Sequence, residues 1–427
     1  MAILSGTNDG APEDADRPLG RARLAGSAAA ITATNAITAG GSLVLQILAA
    51  RQLGLAGYGA FALCISVLTT ALALFTGYVG DALTVMDRNA PLVRMALVTS
   101  AGIGLLFSFL AATAFVLVLH LGDLRVALVY GAMVLAWLVE ELGRRLLIAR
   151  LEYWRLVLND ATYVLVTLAT VAVAMIMGVR LDLLVLLASM LVGALAAIGL
   201  ALRQLPEAEY GQLQVGLRGG TTVARFAVWR SLQSTLRPTQ LLGARVLVLQ
   251  LASLAAVGAV ESGRLVVAPM QTVLNGAADF LLSTGAEGQR SKRRLRLVNE
   301  QAAVVLVAVT MAGGLLATVL SHPLGRLMAG HSVPHLLVLG WAVYTAMWAA
   351  SLPFTAELAV RKLSLPVFVA RLVETVLGLG LVAGVLAVTG RGDVVPWLLA
   401  APALVNAWYL RRLAVRSRPA VAAPATS

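Results

Sequence analysis

The 427-residue sequence has one cysteine, Cys64, and only two lysines, Lys292 and Lys362, among 33 basic residues. A single cysteine excludes a disulfide framework and any metal site built from cysteines. Charged residues make up 13% of the chain, where soluble domains carry roughly 25%, so a soluble enzyme and a disordered polymer are both excluded. No G-x-x-x-x-G-K-S/T phosphate loop occurs, which removes the commonest nucleotide-driven engine. The histidines number four; His322, His331 and His335 share one connection without neighbouring carboxylates or cysteine, which reads as a solvent-facing loop, and no metal or cofactor is expected.

What is present is apolar: 59% hydrophobic residues and a mean hydropathy of +0.86. At about 20 residues per span, about 12 spans account for nearly all of that content. The apolar runs place them at about 26–50, 59–80, 95–119, 125–147, 156–178, 181–202, 226–248, 257–282, 301–321, 335–357, 366–389 and 394–412. Residues 1–25 are polar and read as a disordered cytoplasmic tail, with no cleavable signal peptide. A net charge of +12 would suggest nucleic acid in a soluble protein, but here the basic residues mark topology. Of the 33, 23 fall on the side of the N-terminus, six on the opposite side and four inside spans. By the positive-inside rule both termini are cytoplasmic. The basic cluster Arg290, Lys292, Arg293, Arg294 and Arg296 belongs to that side and suits anionic headgroups.

The longest polar break, 203–225, separates six spans from six. The expected layout is an N-terminal bundle at 26–203, a cytoplasmic linker at 204–223, a C-terminal bundle at 224–413 and a tail at 414–427. A faint repeat supports the division: Leu55-Ala56-Gly57-Tyr58-Gly59-Ala60-Phe61 aligns with Leu254-Ala255-Ala256-Val257-Gly258-Ala259-Val260. Halves with an even number of spans are parallel repeats, related by an axis along the membrane normal.

Three stretches are distinctive: AARQLGLAGYGAFAL (Ala49–Leu63), EELGRRLLIARLEYWR (Glu140–Arg155) and AAVGAVESGRLVVAPMQTVLNGAADFLL (Ala255–Leu282). The first carries Ala50-Arg51-Gln52-Leu53-Gly54 followed by Tyr58-Gly59-Ala60-Phe61. This resembles the A-R-x-L-G-x-x-x-Y/F-G-x-F/Y pattern of polysaccharide-export flippases in the MOP superfamily. The third carries Gly258, Arg264 and Pro269 at that family's spacing in span eight. The second reads as the charged end of span four running into its loop. The resemblance implies an all-α integral membrane protein, about 12 transmembrane helices in two six-helix bundles that form a V and open alternately to either side. It also implies a flippase, not an enzyme, that translocates polyprenyl-diphosphate-linked oligosaccharide across a bacterial cytoplasmic membrane. Its partners would be that substrate, membrane lipids, and glycosyltransferases and a polysaccharide polymerase, with no nucleic acid.

Span seven carries a polar stripe: Arg230, Gln233, Arg237 and Gln240 lie three, four and three residues apart, on one helical face. Intramembrane ionisable groups are costly and face a cavity, a partner or a substrate. Guanidinium groups suit a diphosphate because they offer paired donors, and Pro238 would bend the helix beside them. Arg230 equally fits a side chain snorkelling to the interface. Arg264 fits either the cavity or neutralisation by Glu261 one turn earlier, and Arg371 stands in the same relation to Glu374. Asn35, Thr38, Gln46, Gln271, Asn275 and Asp279 fit either sugar contacts or interhelical hydrogen bonds. Two alternatives stand beside this reading, the first on the same fold and the second from a different class. A MATE-type cation or multidrug antiporter normally carries an acid in span one, which this chain lacks. An integral-membrane glycosyltransferase or polymerase normally carries a large outward loop, and the longest here is 322–335.

Overall fold

In the computed structural model, residues 21–86, 90–209, 214–216, 218, 220–290, 296–361 and 363–417 are described. Among them the regular structure is helical throughout. The first half comprises α1 (Arg21–Gln52), α2 (Gly54–Phe75), α3 (Asp81–Val85), α4 (Pro91–Val118), α5 (Leu124–Ala149), α6 (Tyr153–Ile176) and α7 (Leu183–Gln204). The second comprises α8 (Gly220–Leu251), α9 (Leu254–Arg290), α10 (Arg296–Val319), α11 (Ser321–Ala329), α12 (His335–Val360), α13 (Ser364–Thr389) and α14 (Val395–Arg416). A π-helical segment, Thr76–Gly80, joins α2 to α3 into one rod. Counting that rod once and setting aside the short α11, twelve helices have the length to span a bilayer. Ten of these are also apolar enough by composition. The other two, α8 and α9, run 32 and 37 residues but are interrupted by charge.

The ends of the helices follow local chemistry. Asp123 and Asp182 accept hydrogen bonds from the amides of Val126 and Val185 at 3.0 and 2.8 Å, which caps α5 and α7. The reversal between α1 and α2 turns on Gly54 at φ +66°, a conformation glycine adopts without the Cβ penalty. The 322–335 connection, expected as a plain loop, contains α11, which ends at Gly330 in the left-handed region. His322 and His335 stack there with ring centroids 4.3 Å apart. No group of three metal-ligating side chains occurs among the described residues.

Each half has its own core. One gathers Tyr58, Phe61, Tyr130, Met133, Leu138 and Leu186 from the first half; the other gathers Val248, Val267, Trp341, Tyr344, Val382 and Leu399 from the second. The outer faces of α4, α10 and α13 expose large apolar side chains such as Phe107, Val305 and Val376, as helices against lipid do.

The halves meet along α2, which packs against α8 near the side of the termini and against α9 near the far side. On the far side the contact is reciprocal. A Cβ on Gly59 would strike the carbonyl oxygen of Leu254, and one on Gly258 would strike that of Leu55. These four residues occupy equivalent places in the repeat, so the crossing of α2 and α9 has the i-to-j, j-to-i form of a two-fold axis. On the side of the termini, Gly77 lies against the backbone of Ser231. There Ser231 and Ser234 donate to the carbonyls of Leu74 and Ala73, both at 2.8 Å, just before the π-helical turn. The halves are therefore joined along α2 on both sides, and cavities lie within each half.

Candidate functional site

The polar stripe of α8 divides between two environments. Arg237 and Gln240 turn into the second half, where α12 supplies Tyr344, Trp348 and Ser351, α13 supplies Arg371 and Glu374, and α14 supplies Asn406. The cavity they line is small, with a volume of about 20 Å³. The Arg237 guanidinium carbon lies 3.3 Å from the centroid of the Trp348 ring, a cation–π placement, while its Nε is buried with no acceptor. Glu374 accepts from Asn406 Nδ2 at 2.6 Å, and its backbone oxygen accepts from Gln240 Nε2 at 3.4 Å. Arg371 Nη2 donates to Thr355 Oγ1 at 3.5 Å. Two guanidinium groups thus share one carboxylate in this cavity, leaving a net positive charge with donor capacity to spare. Arg230 faces the other way, pairing with Asp81 of α3 at 2.9 Å from a half-exposed position. Gln233 is half-buried between these sites.

Arg264 joins neither group. Its Nε pairs with Glu261 at 2.6 Å, its Nη2 donates to Gln46 of α1 at 3.2 Å, and its Nη1 donates to Gln271 at 3.4 Å. The neutralising acid expected from the sequence is in place, and so is a bond across the seam between the halves. The sequence reading missed the second arginine here. Arg245, placed in the far-side connection by the charge count, is 8% exposed inside α8. It grips Glu261 through Nε–Oε1 at 2.7 Å and Nη2–Oε2 at 2.9 Å and donates to Ser66 of α2. Arg245 and Glu261 stand nearly equally far from the turn between α8 and α9, and that symmetry is the sequence signal for the pair.

A larger surprise lies in the first half. The stretch read as the charged end of span four folds inward. Glu140, Glu141 and Asp160 are at most 5% exposed, and Arg144 binds Asp160 through Nε at 2.8 Å and Nη2 at 3.2 Å and Glu141 through Nη1 at 2.7 Å. Arg145 Nε donates to Glu141 at 2.6 Å, and Asn159 Nδ2 donates to Glu140 at 2.8 Å. Thr38, Ser42 and Gln46 of α1 and the rings of Phe61, Trp137 and Tyr163 close a cavity of about 130 Å³ over this network. Asn35, one turn before Thr38, is exposed. Asn275 and Asp279 lie on α9, and their side chains fall outside the described residues; so do most of the basic cluster at 290–296, Lys362 and the polar tail at 1–20.

With this geometry in place, the likeness to solved structures covers nearly the whole chain. An inward-facing MATE-family multidrug resistance transporter of the MOP superfamily superposes at TM-score 0.70 and 12% identity, covering 90% of this chain and 95% of its own. The lipid II flippase MurJ in an inward closed conformation gives 0.71 at 9% identity, covering 92% and 88%. A mutant of the Vibrio cholerae MATE transporter VcmN gives 0.63 at 12% identity, covering 93% and 99%. No family model matches the sequence, and no curated protein matches it. At these identities what is shared is the fold: the expected MATE/MOP-like architecture of twelve helices.

Proposed function

We propose that this chain is a flippase that carries a polyprenyl-diphosphate-linked oligosaccharide repeat unit from the cytoplasmic to the outer leaflet of a bacterial cytoplasmic membrane, in the assembly of a surface polysaccharide. The observation that supports this reading is Arg237, a guanidinium inside a membrane-spanning bundle whose buried Nε has no acceptor and which lines one cavity with Arg371 and the single carboxylate Glu374. A charged diphosphate and a polar glycan face about 30 Å of hydrocarbon, and desolvating either without partners is prohibitive. Guanidinium groups with unused donors replace water around phosphate oxygens, while the polyprenyl tail stays in lipid.

In this reading Arg237 and Gln240 form the diphosphate site, Arg264 takes the same headgroup at the seam, and Arg230 and Gln233 line its approach. Asn35 and Asn275 contact sugar. No bond is made or broken, and lipid-linked substrate would come from glycosyltransferases and be drained by a polymerase. The test is transport in proteoliposomes that hold the purified chain and a fluorescent polyprenyl-diphosphate saccharide. Arg237→Ala should reduce flipping at least tenfold, about the worth of one charge-assisted hydrogen bond, at unchanged protein abundance; flipping at the wild-type rate removes Arg237 from the site. The buried carboxylates Glu140 and Asp160 favour a second reading, a cation-coupled multidrug antiporter on the same fold. Proton- or sodium-driven export of organic cations by vesicles that do not flip the lipid would establish it.

A further inference from the structure

We infer that the cavity of the first half is a saccharide subsite, which receives the sugar next to the diphosphate while the diphosphate is held at the seam. The inference rests on the flippase reading and adds to it where the glycan is recognised.

The lining has the composition that sugar rings require. A pyranose has apolar C–H faces and a rim of hydroxyl groups that both donate and accept. Trp137 and Tyr163, packed edge to face with centroids 4.5 Å apart, and Phe61 present aromatic surface for the C–H faces. Carboxylates are acceptors for hydroxyl donors, and Glu140 and Asp160 both line the space. Glu140 accepts from Asn159 at Oε1, the same oxygen that faces Arg144 Nε at 3.8 Å, so its Oε2 takes no hydrogen bond although the residue is 5% exposed. Thr38 and Thr69 spend their protons on the backbone carbonyls of Thr34 and Ser66, which turns their oxygens into acceptors toward the cavity. Its volume, about 130 Å³, is several times that of the cavity beside Arg237.

Position supplies the second argument. Gln46 lines this cavity and accepts from Arg264 Nη2 at 3.2 Å. One amide side chain therefore separates the sugar site from the guanidinium at the seam, which suits a headgroup whose first sugar is bonded directly to diphosphate. A metal ion is a poorer occupant. The carboxylates are already engaged by Arg144 and Arg145, and no metal-holding group occurs among the described residues.

The test uses the full chain in nanodiscs and two probes, undecaprenyl diphosphate and undecaprenyl-diphosphate N-acetylglucosamine, with affinities from native mass spectrometry. The wild type should bind the sugar-bearing probe about tenfold or more tightly than the bare one, as expected where buried polar groups await a hydroxyl. Glu140→Gln, isosteric with the native side chain, and Trp137→Ala should each erase that preference and leave affinity for the bare probe intact. A preference that survives both substitutions, or equal binding of both probes by the wild type, overturns the subsite and leaves the flippase reading standing. Failure to bind either probe overturns both. If added sodium tightens the bare probe in the wild type but not in Glu140→Gln, the cavity is a cation site and the saccharide assignment falls.

Discussion

Glu261 is the residue on which the seam depends. It is 1% exposed and is the shared partner of Arg245 and Arg264. Removing one member of a buried charge cluster costs more than the cluster itself contributes, because the remaining charges are left unpaired. Glu261→Gln should therefore destabilise the chain by about 3–5 kcal/mol, seen as a lower unfolding temperature in detergent and reduced membrane abundance. Arg264→Met should be milder, since Glu261 keeps its two-point grip on Arg245. Equal effects of the two substitutions would show that the acid is not the hub. The i, i+3 spacing of Glu261 and Arg264 made one of these pairs legible in the sequence. The other joins different helices, and only the depth of each residue from the α8–α9 turn could have suggested it. The buried network of Glu140, Asp160 and Arg144 was illegible for a related reason: a charge-dense stretch near a helix end is ordinarily interfacial, and nothing local shows it folding inward.

At the scale of elements, helix boundaries were largely readable, because apolar run length and the polar breaks between runs decide where a membrane helix can lie. What the runs could not show is which helices meet. The alignment of Leu55–Phe61 with Leu254–Val260 was the one sequence hint, and the structure gives it a cause: Gly59 and Gly258 are where α2 and α9 cross with backbones in contact. Close approach of this kind admits only glycine, since a Cβ facing a carbonyl cannot be relieved by choosing another rotamer. Gly258→Ala should accordingly pry the far side open. A cysteine at Val257, 1% exposed in the wild type, should react with a membrane-impermeant maleimide several-fold faster in that background. Unchanged reactivity would mean that the crossing tolerates a methyl group and does not seal the far side.

At the scale of the whole molecule, the charge asymmetry makes a claim that the helices do not settle by themselves: both termini face the cytoplasm. Cys64 is fully buried and gives little background, so introduced cysteines report cleanly. Labels should reach Asp123→Cys and Arg391→Cys in intact cells, and Arg150→Cys or Arg293→Cys only after permeabilisation. The reverse pattern would invert the topology and with it the direction of transport.

The two seams also differ in what holds them. The far side combines a backbone crossing with a buried Arg–Glu–Arg cluster. The side of the termini has no buried ion cluster among the described residues. It is held by the Gly77–Ser231 backbone approach and two serine hydrogen bonds beside a π-helical turn, a feature frequent at functional sites. A small apolar cluster of Ala82, Ala96 and Leu97 with Val223 and Ala227 adds to these, as does the half-exposed Arg230–Asp81 pair, which in water contributes at most about 1 kcal/mol. The terminal side should therefore open first, with α2 bending at Thr76–Gly80. If transport requires that opening, a short bis-maleimide bridging Asp81→Cys and Arg230→Cys should stop flipping in proteoliposomes, while either single variant treated alike keeps most of its rate. The same bridge across Leu55→Cys and Ala255→Cys, on the far side, should trap the complementary stage and stop net turnover as well. Continued flipping through the bridged terminal side would show that the substrate crosses without the halves separating there, and the order of opening argued from the seams would have to be reversed.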